Sequence, residues 1–100
     1  MKTFVLTQKA KSDLKEIAKF TESRWGKKQR NFYLKQFDDA FHLLARQPEI
    51  AKSCDDIRDG YLKFLQGSHV IFFKLITEKK IEIVRILHKN MDIDTRLNSP

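Results

Sequence analysis

The residues of this 100-residue chain best suited to acid–base or metal chemistry are its three histidines, His42, His69 and His88. A metal site needs such groups to converge with a carboxylate or thiolate, and no HxxxH or HxH spacing occurs. No metal or other cofactor is therefore expected. His42 falls within a helical pattern and reads as a surface or edge residue. His88 closes an apolar run, where an imidazole can serve as a general acid or base, although a structural role is the simpler reading. Asp55, Asp56 and Asp59 lack the EF-hand spacing and read as a solvated loop. Ser68 precedes His69 directly, and neighbours on a strand point to opposite faces, so they form no dyad. With three glycines in the chain, neither a Gly-rich phosphate loop nor a GxSxG turn is present. No catalytic centre can be read from the residues themselves.

The elements that would position these groups follow from hydrophobic period. Phe4, Val5 and Leu6 read as a short strand and Thr7 as the N-cap of a helix. From Lys9 to Trp25 the apolar positions Ala10, Leu14, Ile17, Ala18 and Trp25, with Thr21, fall at spacings of about three, four and seven, which mark one buried helical face. Gly26 is the residue type for a left-handed helix end and separates this helix from a second. That second helix, from Lys27 to Gln47, carries its stripe on Tyr33, Leu34, Phe37, Phe41 and Leu44 and stops at Pro48. Phe32 and Leu43 lie off the stripe, which gives this helix a second apolar face to bury. Joined by so little chain, the two helices should pack as an antiparallel hairpin.

Residues 49–60 have no apolar period and read as a loop. Tyr61–Leu65, His69–Ile76 and Ile81–His88 then read as strands, separated by turns at Gln66-Gly67-Ser68 and Thr77-Glu78-Lys79-Lys80. The last dozen residues lack a strong pattern. The fold class is α+β: an N-terminal strand, a two-helix hairpin, then a three-strand antiparallel meander, forming one small sheet with the helices on one face. Strict alternation sets Val70 and Phe72 against Ile71, Phe73 and Leu75, and Val84 and Ile86 against Ile81, Ile83 and Leu87. Both sheet faces are thus apolar. The helices can cover one, and the other is expected to remain open as a binding surface.

Composition narrows the classes. With 41% of residues apolar and 33% charged, the chain is globular and of a length for one domain over residues 1–100. Its apolar N-terminal run is too short for a signal peptide or a membrane span, and the lone Cys54 cannot form an intramolecular disulfide. A cytoplasmic location is expected. The net charge of +7 is compatible with nucleic acid, acidic protein or anionic lipid partners and does not choose among them.

Tyr61-Leu62-Lys63-Phe64, Gly67 to Phe73, and Ile83-Val84-Arg85-Ile86-Leu87-His88 with Met91-Asp92 resemble the closing strands of ParE toxins. Ala10, Asp13-Leu14, Ile17, Trp25-Gly26, Phe37, Leu44 and Pro48 fit the helical hairpin of that family. The resemblance spans nearly the whole chain and implies the toxic component of a bacterial type II toxin–antitoxin pair. Such a toxin is a non-catalytic inhibitor that stalls DNA gyrase with its DNA cleaved, and a ParD-like antitoxin neutralises it. It also implies two sets of contact residues. Trp25, Phe32 and Tyr33 are candidate antitoxin anchors, because aromatics dominate interface hot spots. His69, Arg85, His88, Met91 and Arg96 are candidates for touching gyrase. An alternative comes from RelE-type ribosome-dependent mRNA nucleases, which share the fold. Their Arg position in the middle strand is His69 here, and no tyrosine follows Tyr61, which leaves His88 as the main support. Direct DNA binding, resting on a pI of about 9.7, finds no recognition-helix or ribbon motif.

Overall fold

The computed structural model describes residues 2–55, 57–90 and 97. Strand β1 (Thr3–Leu6) leads into helix α1 (Gln8–Trp25), followed by helix α2 (Lys27–Arg46) and a 3-10 turn (Pro48–Ile50). Strands β2 (Lys52–Ser53), β3 (Tyr61–Gln66), β4 (His69–Thr77) and β5 (Lys80–His88) complete the order. The strands form one five-stranded sheet ordered β1-β5-β4-β3-β2, in which β1 runs parallel to β5 and the other pairs are antiparallel. The α+β class holds. The segment read as a loop carries the 3-10 turn and the two-residue edge strand β2, both too short to leave a period in the sequence. Among the described residues no helix is long and apolar enough to cross a membrane.

Thr7 caps α1 as its type requires: its Oγ1 accepts the Ala10 N–H at 3.1 Å. Gly26 serves both helices. Its N–H donates to the Glu22 carbonyl and its own carbonyl accepts from Arg30 N–H. At φ 91° and ψ 173° its backbone occupies a region open essentially to glycine alone. That conformation reverses the chain within one residue, and a Glu22–Arg30 ion pair spans the bend.

The helices cover one sheet face, where Ala10, Ile17, Phe37, Phe41 and Leu44 pack on Ile71, Phe73, Ile81, Ile83 and Ile86. Ile86 does not sit with Val84 as strict alternation would have it. The β4–β5 register passes from Phe72↔Arg85 to Phe73↔Ile83, so Val84 is an added residue. This bulge turns Ile86 to the helical side and leaves Val84 with Leu87 on the opposite side. Two groups from α1 and its cap pin the bulge. Thr7 Oγ1 donates to the Val84 carbonyl at 2.8 Å, and the Asp13 carboxylate accepts the Ile86 N–H at 2.9 Å.

The second sheet face is not left open as the sequence led us to expect. Phe72, 0% exposed, and Leu87 are covered by Cys54, Ile57, Tyr61 and Leu97. The segment before β3 and one leucine near the C-terminus thus supply a second small core. What stays open beside it is a groove of about 440 Å³ along β3, lined by Ile57, Leu65, Val70 and Phe72 with Lys52 and Lys63. Nor does α2 bury a second face through Phe32, which is 58% exposed.

Candidate functional site

The bend between the helices and the far ends of β4 and β5 enclose a cleft of about 210 Å³. Its lining is Phe20, Thr21, Trp25, Gln29, Tyr33, Ser68, His69 and His88. It joins residues that the sequence reading divided between two partners: Trp25 and Tyr33 from one set, His69 and His88 from the other.

The strand register makes the histidines cross-strand partners, with ring centroids 5.4 Å apart in an edge-on arrangement. Tyr33 reaches the same point from α2, and its hydroxyl lies 2.9 Å from His69 Nδ1. Gly67 makes that approach possible, because a Cβ there would meet the Tyr33 hydroxyl at 3.2 Å and its φ of 61° already favours glycine. Burial raises the Tyr33 pKa above its ordinary value, while a hydrogen bond from the Ser68 backbone pulls it the other way. Burial also lowers the pKa of His69, with help from the neighbouring His88 and against a weaker opposing pull from Asp13. At neutral pH His69 is therefore uncharged. His88 Nδ1 accepts the Asn90 N–H at 3.1 Å. Each imidazole thus commits Nδ1 to the protein and keeps Nε2 for a ligand.

The depressed pKa of His69 has a measurable consequence. Above its ordinary value of 6.5, folded and unfolded chains are both neutral at this residue and its full contribution to stability is present. As pH falls below that value the unfolded state binds the proton first, so stability drops until the lower native pKa is passed. Thermal melts between pH 7.5 and 5 should show this loss in the wild type and a smaller one in His69→Gln. Parallel curves for the two proteins would refute it.

Arg85 is held elsewhere. Its Nε donates to Asp13 Oδ2 at 2.9 Å and a second guanidinium nitrogen to Oδ1 at 3.1 Å, with both side chains about six-sevenths covered (14% and 15% exposed). The hydrogen bond to Asp13 raises the guanidinium pKa further. Arg85 thus ties β5 to α1 instead of standing free in the cleft. Trp25 is 67% exposed at the end of α1, and Phe32 projects from α2 outside the cleft. Met91 and Arg96 lie outside the described residues. His42, on the solvent side of α2, pairs with Asp38 at 3.5 Å and meets the Phe4 ring edge-on. Among the described residues no group of three or more His, Cys, Asp or Glu could hold a metal ion.

A fold built on this pattern has known counterparts. A model of the family described as the ParE toxin of the type II toxin–antitoxin system, parDE, matches residues 4–93. The chain belongs to the ParE toxin family. Toxin ParE1 of Mycobacterium tuberculosis is 39% identical over 94 residues, covering 94% of this chain and 96% of the relative. Toxin ParE1 of Caulobacter vibrioides is 32% identical over 97 residues, covering 97% and 99%. A solved structure of a chromosomal ParDE TA system from P. aeruginosa superposes with a TM-score of 0.75, covering 88% of this chain and 96% of that one. At 18% identity that likeness bears on the ParE fold alone.

Tyr33 is the member of the site whose link to the histidines sequence reasoning missed, since it is 36 residues from His69. The pairing of His69 with His88 did leave a signal. Counting eight residues outward from Thr77 and from Lys80 arrives at both.

Proposed function

We propose that this ParE-family chain is a cytoplasmic toxin that arrests DNA gyrase with its DNA cleaved, and that a ParD-like antitoxin silences it. Family membership over residues 4–93 carries the reading. The surface is compatible with a mechanism of capture. Phe20, Trp25 and Phe32 are exposed around the helical bend, and exposed aromatics of this kind anchor partner proteins. A protein that binds one intermediate of a catalytic cycle more tightly than the others raises its population by that difference in affinity, and needs no chemistry of its own. His69 and His88, beside the cleft, are the proposed contacts with gyrase. Arg85 contributes by holding β5 in place.

The antitoxin would dock across the helices and the sheet edge, with acidic residues complementing the basic N-terminal half of the toxin. That half carries eleven Lys and Arg against six Asp and Glu over residues 1–50. Added to gyrase and plasmid, the purified toxin should reduce supercoiling and accumulate linear DNA, and prior mixing with the antitoxin should abolish both effects. One observation favours the nuclease alternative. Tyr33, His69 and His88 converge, giving two imidazoles and a phenol that can exchange protons with a ribose hydroxyl. Ribosome-dependent mRNA cleavage with gyrase unaffected would replace the gyrase reading with that one.

A further inference from the structure

Five of the eight groups lining the cleft are rings: Phe20, Trp25, Tyr33, His69 and His88. At about 210 Å³ the cleft is smaller than the roughly 300–1,000 Å³ that drug-sized ligands occupy, and it suits a single flat heterocycle. Gln29 and Ser68 offer an amide and a hydroxyl beside the rings, and the imidazoles offer their Nε2 edges.

The rim is cationic. Arg24, Lys27 and Lys28 flank Gly26 and are exposed, as is Lys89, whose backbone N–H donates to the Ser68 carbonyl at 2.9 Å. Among the described residues none of these four forms an ion pair with a carboxylate. The acidic group at the bend, Glu22, is already engaged by Arg30. The 20-residue helix α2 begins at this rim with no side-chain cap and no acidic residue in its first turn. Its free N–H groups and positive dipole end therefore face an open position. Arg24 in the last turn of α1 offsets the opposing carbonyl end of that helix.

From this combination we infer that the cleft binds one unpaired base of a single-stranded nucleic acid. The base stacks on Trp25, and its phosphate is held by the start of α2 together with Arg24, Lys27 and Lys28. A stacked base uses the ring faces, the small volume and the polar edges together. A phosphate uses the cations and the uncapped helix start. A base within a duplex is already stacked on its neighbours and cannot enter.

Trp25 is the sole tryptophan, so intrinsic fluorescence reports this cleft directly. Short oligo-dT and oligo-U strands should quench it at 50 mM salt, their relative strengths telling DNA from RNA, and a blunt-ended, fully paired duplex of equal length should not. With that one phosphate neutralised, affinity should fall only about two- to threefold between 50 and 200 mM salt. By anisotropy of a labelled strand, Trp25→Ala should bind about 5- to 100-fold more weakly. Ile76→Ala, at an exposed position of β4 outside the cleft, should bind as the wild type does. Tryptophan emission and anisotropy that ignore single strands would overturn the assignment, as would equal binding of duplex or no effect of Trp25→Ala. The inference holds whatever the cellular target is. Should it fail, gyrase inhibition measured on the same preparation would be untouched; should gyrase prove unaffected, strand binding would still be read here.

Discussion

Asp13→Ala should destabilise the fold by about 3 kcal/mol, the lower end of the cost of removing one partner from a buried ion pair, because the edges of this pair reach solvent. One carboxylate accepts three hydrogen bonds, two from Arg85 and one from the Ile86 N–H. Alanine leaves the guanidinium without its counter-charge and the bulged strand with an unsatisfied N–H at the point where its register shifts. For a chain of this length the loss corresponds to about 12–24 °C in melting temperature. Urea denaturation can separate the two contributions. Asp13→Asn keeps an acceptor for Ile86 and should lose less than Asp13→Ala, while Asp13→Asn combined with Arg85→Met, which leaves neither a buried charge nor an unsatisfied Ile86 N–H, should recover most of the stability. If Asp13→Ala melts within a few degrees of the wild type, the ion pair does not hold the bulge.

That bulge also marks where sequence reasoning stopped. Helix α1 was legible because Thr7, the stripe from Ala10 to Thr21, and Gly26 agree with one another. The strands were legible because their period is two and their ends carry turn residues. Around Val84, however, the sequence reads Ile83-Val84-Arg85-Ile86-Leu87, apolar enough on both sides that either register satisfies it. The deciding groups, Thr7 and Asp13, lie more than seventy residues away in sequence. The cover over Phe72 was hidden for a related reason. It comes from Cys54, Ile57 and Leu97, isolated apolar residues in stretches without a period. The cleft lay between these extremes. The pairing of His69 with His88 follows from the β4–β5 turn, since the residue added at Ile76 on one strand and the one at Val84 on the other cancel over the length of the hairpin. The reach of Tyr33 across to His69 is a product of tertiary packing, and nothing local announces it.

The second large effect concerns binding and not stability. Phe32→Ala should leave the melting temperature within a few degrees of the wild type, because a ring that is 58% exposed loses little on truncation. It should weaken the complex with the antitoxin by about 2 kcal/mol, roughly thirtyfold in Kd. Phe37 lies five residues further along α2, on a different face of the helix, and is buried at 1% exposure among Tyr33, Phe41 and His69. Phe37→Ala should show the reverse pattern, losing about 3–5 kcal/mol of folding stability through the cavity it leaves. Trp25→Ala should resemble Phe32→Ala in stability, since both rings stand outside the core. Calorimetric titration of the antitoxin into each variant, beside urea denaturation of the variant alone, measures the two quantities independently. An antitoxin that binds the Phe32→Ala and Trp25→Ala proteins as tightly as the wild type must dock away from the helical bend. The groove beside Leu65, with Lys52 and Lys63 among its lining groups, would then be the surface that takes an acidic segment.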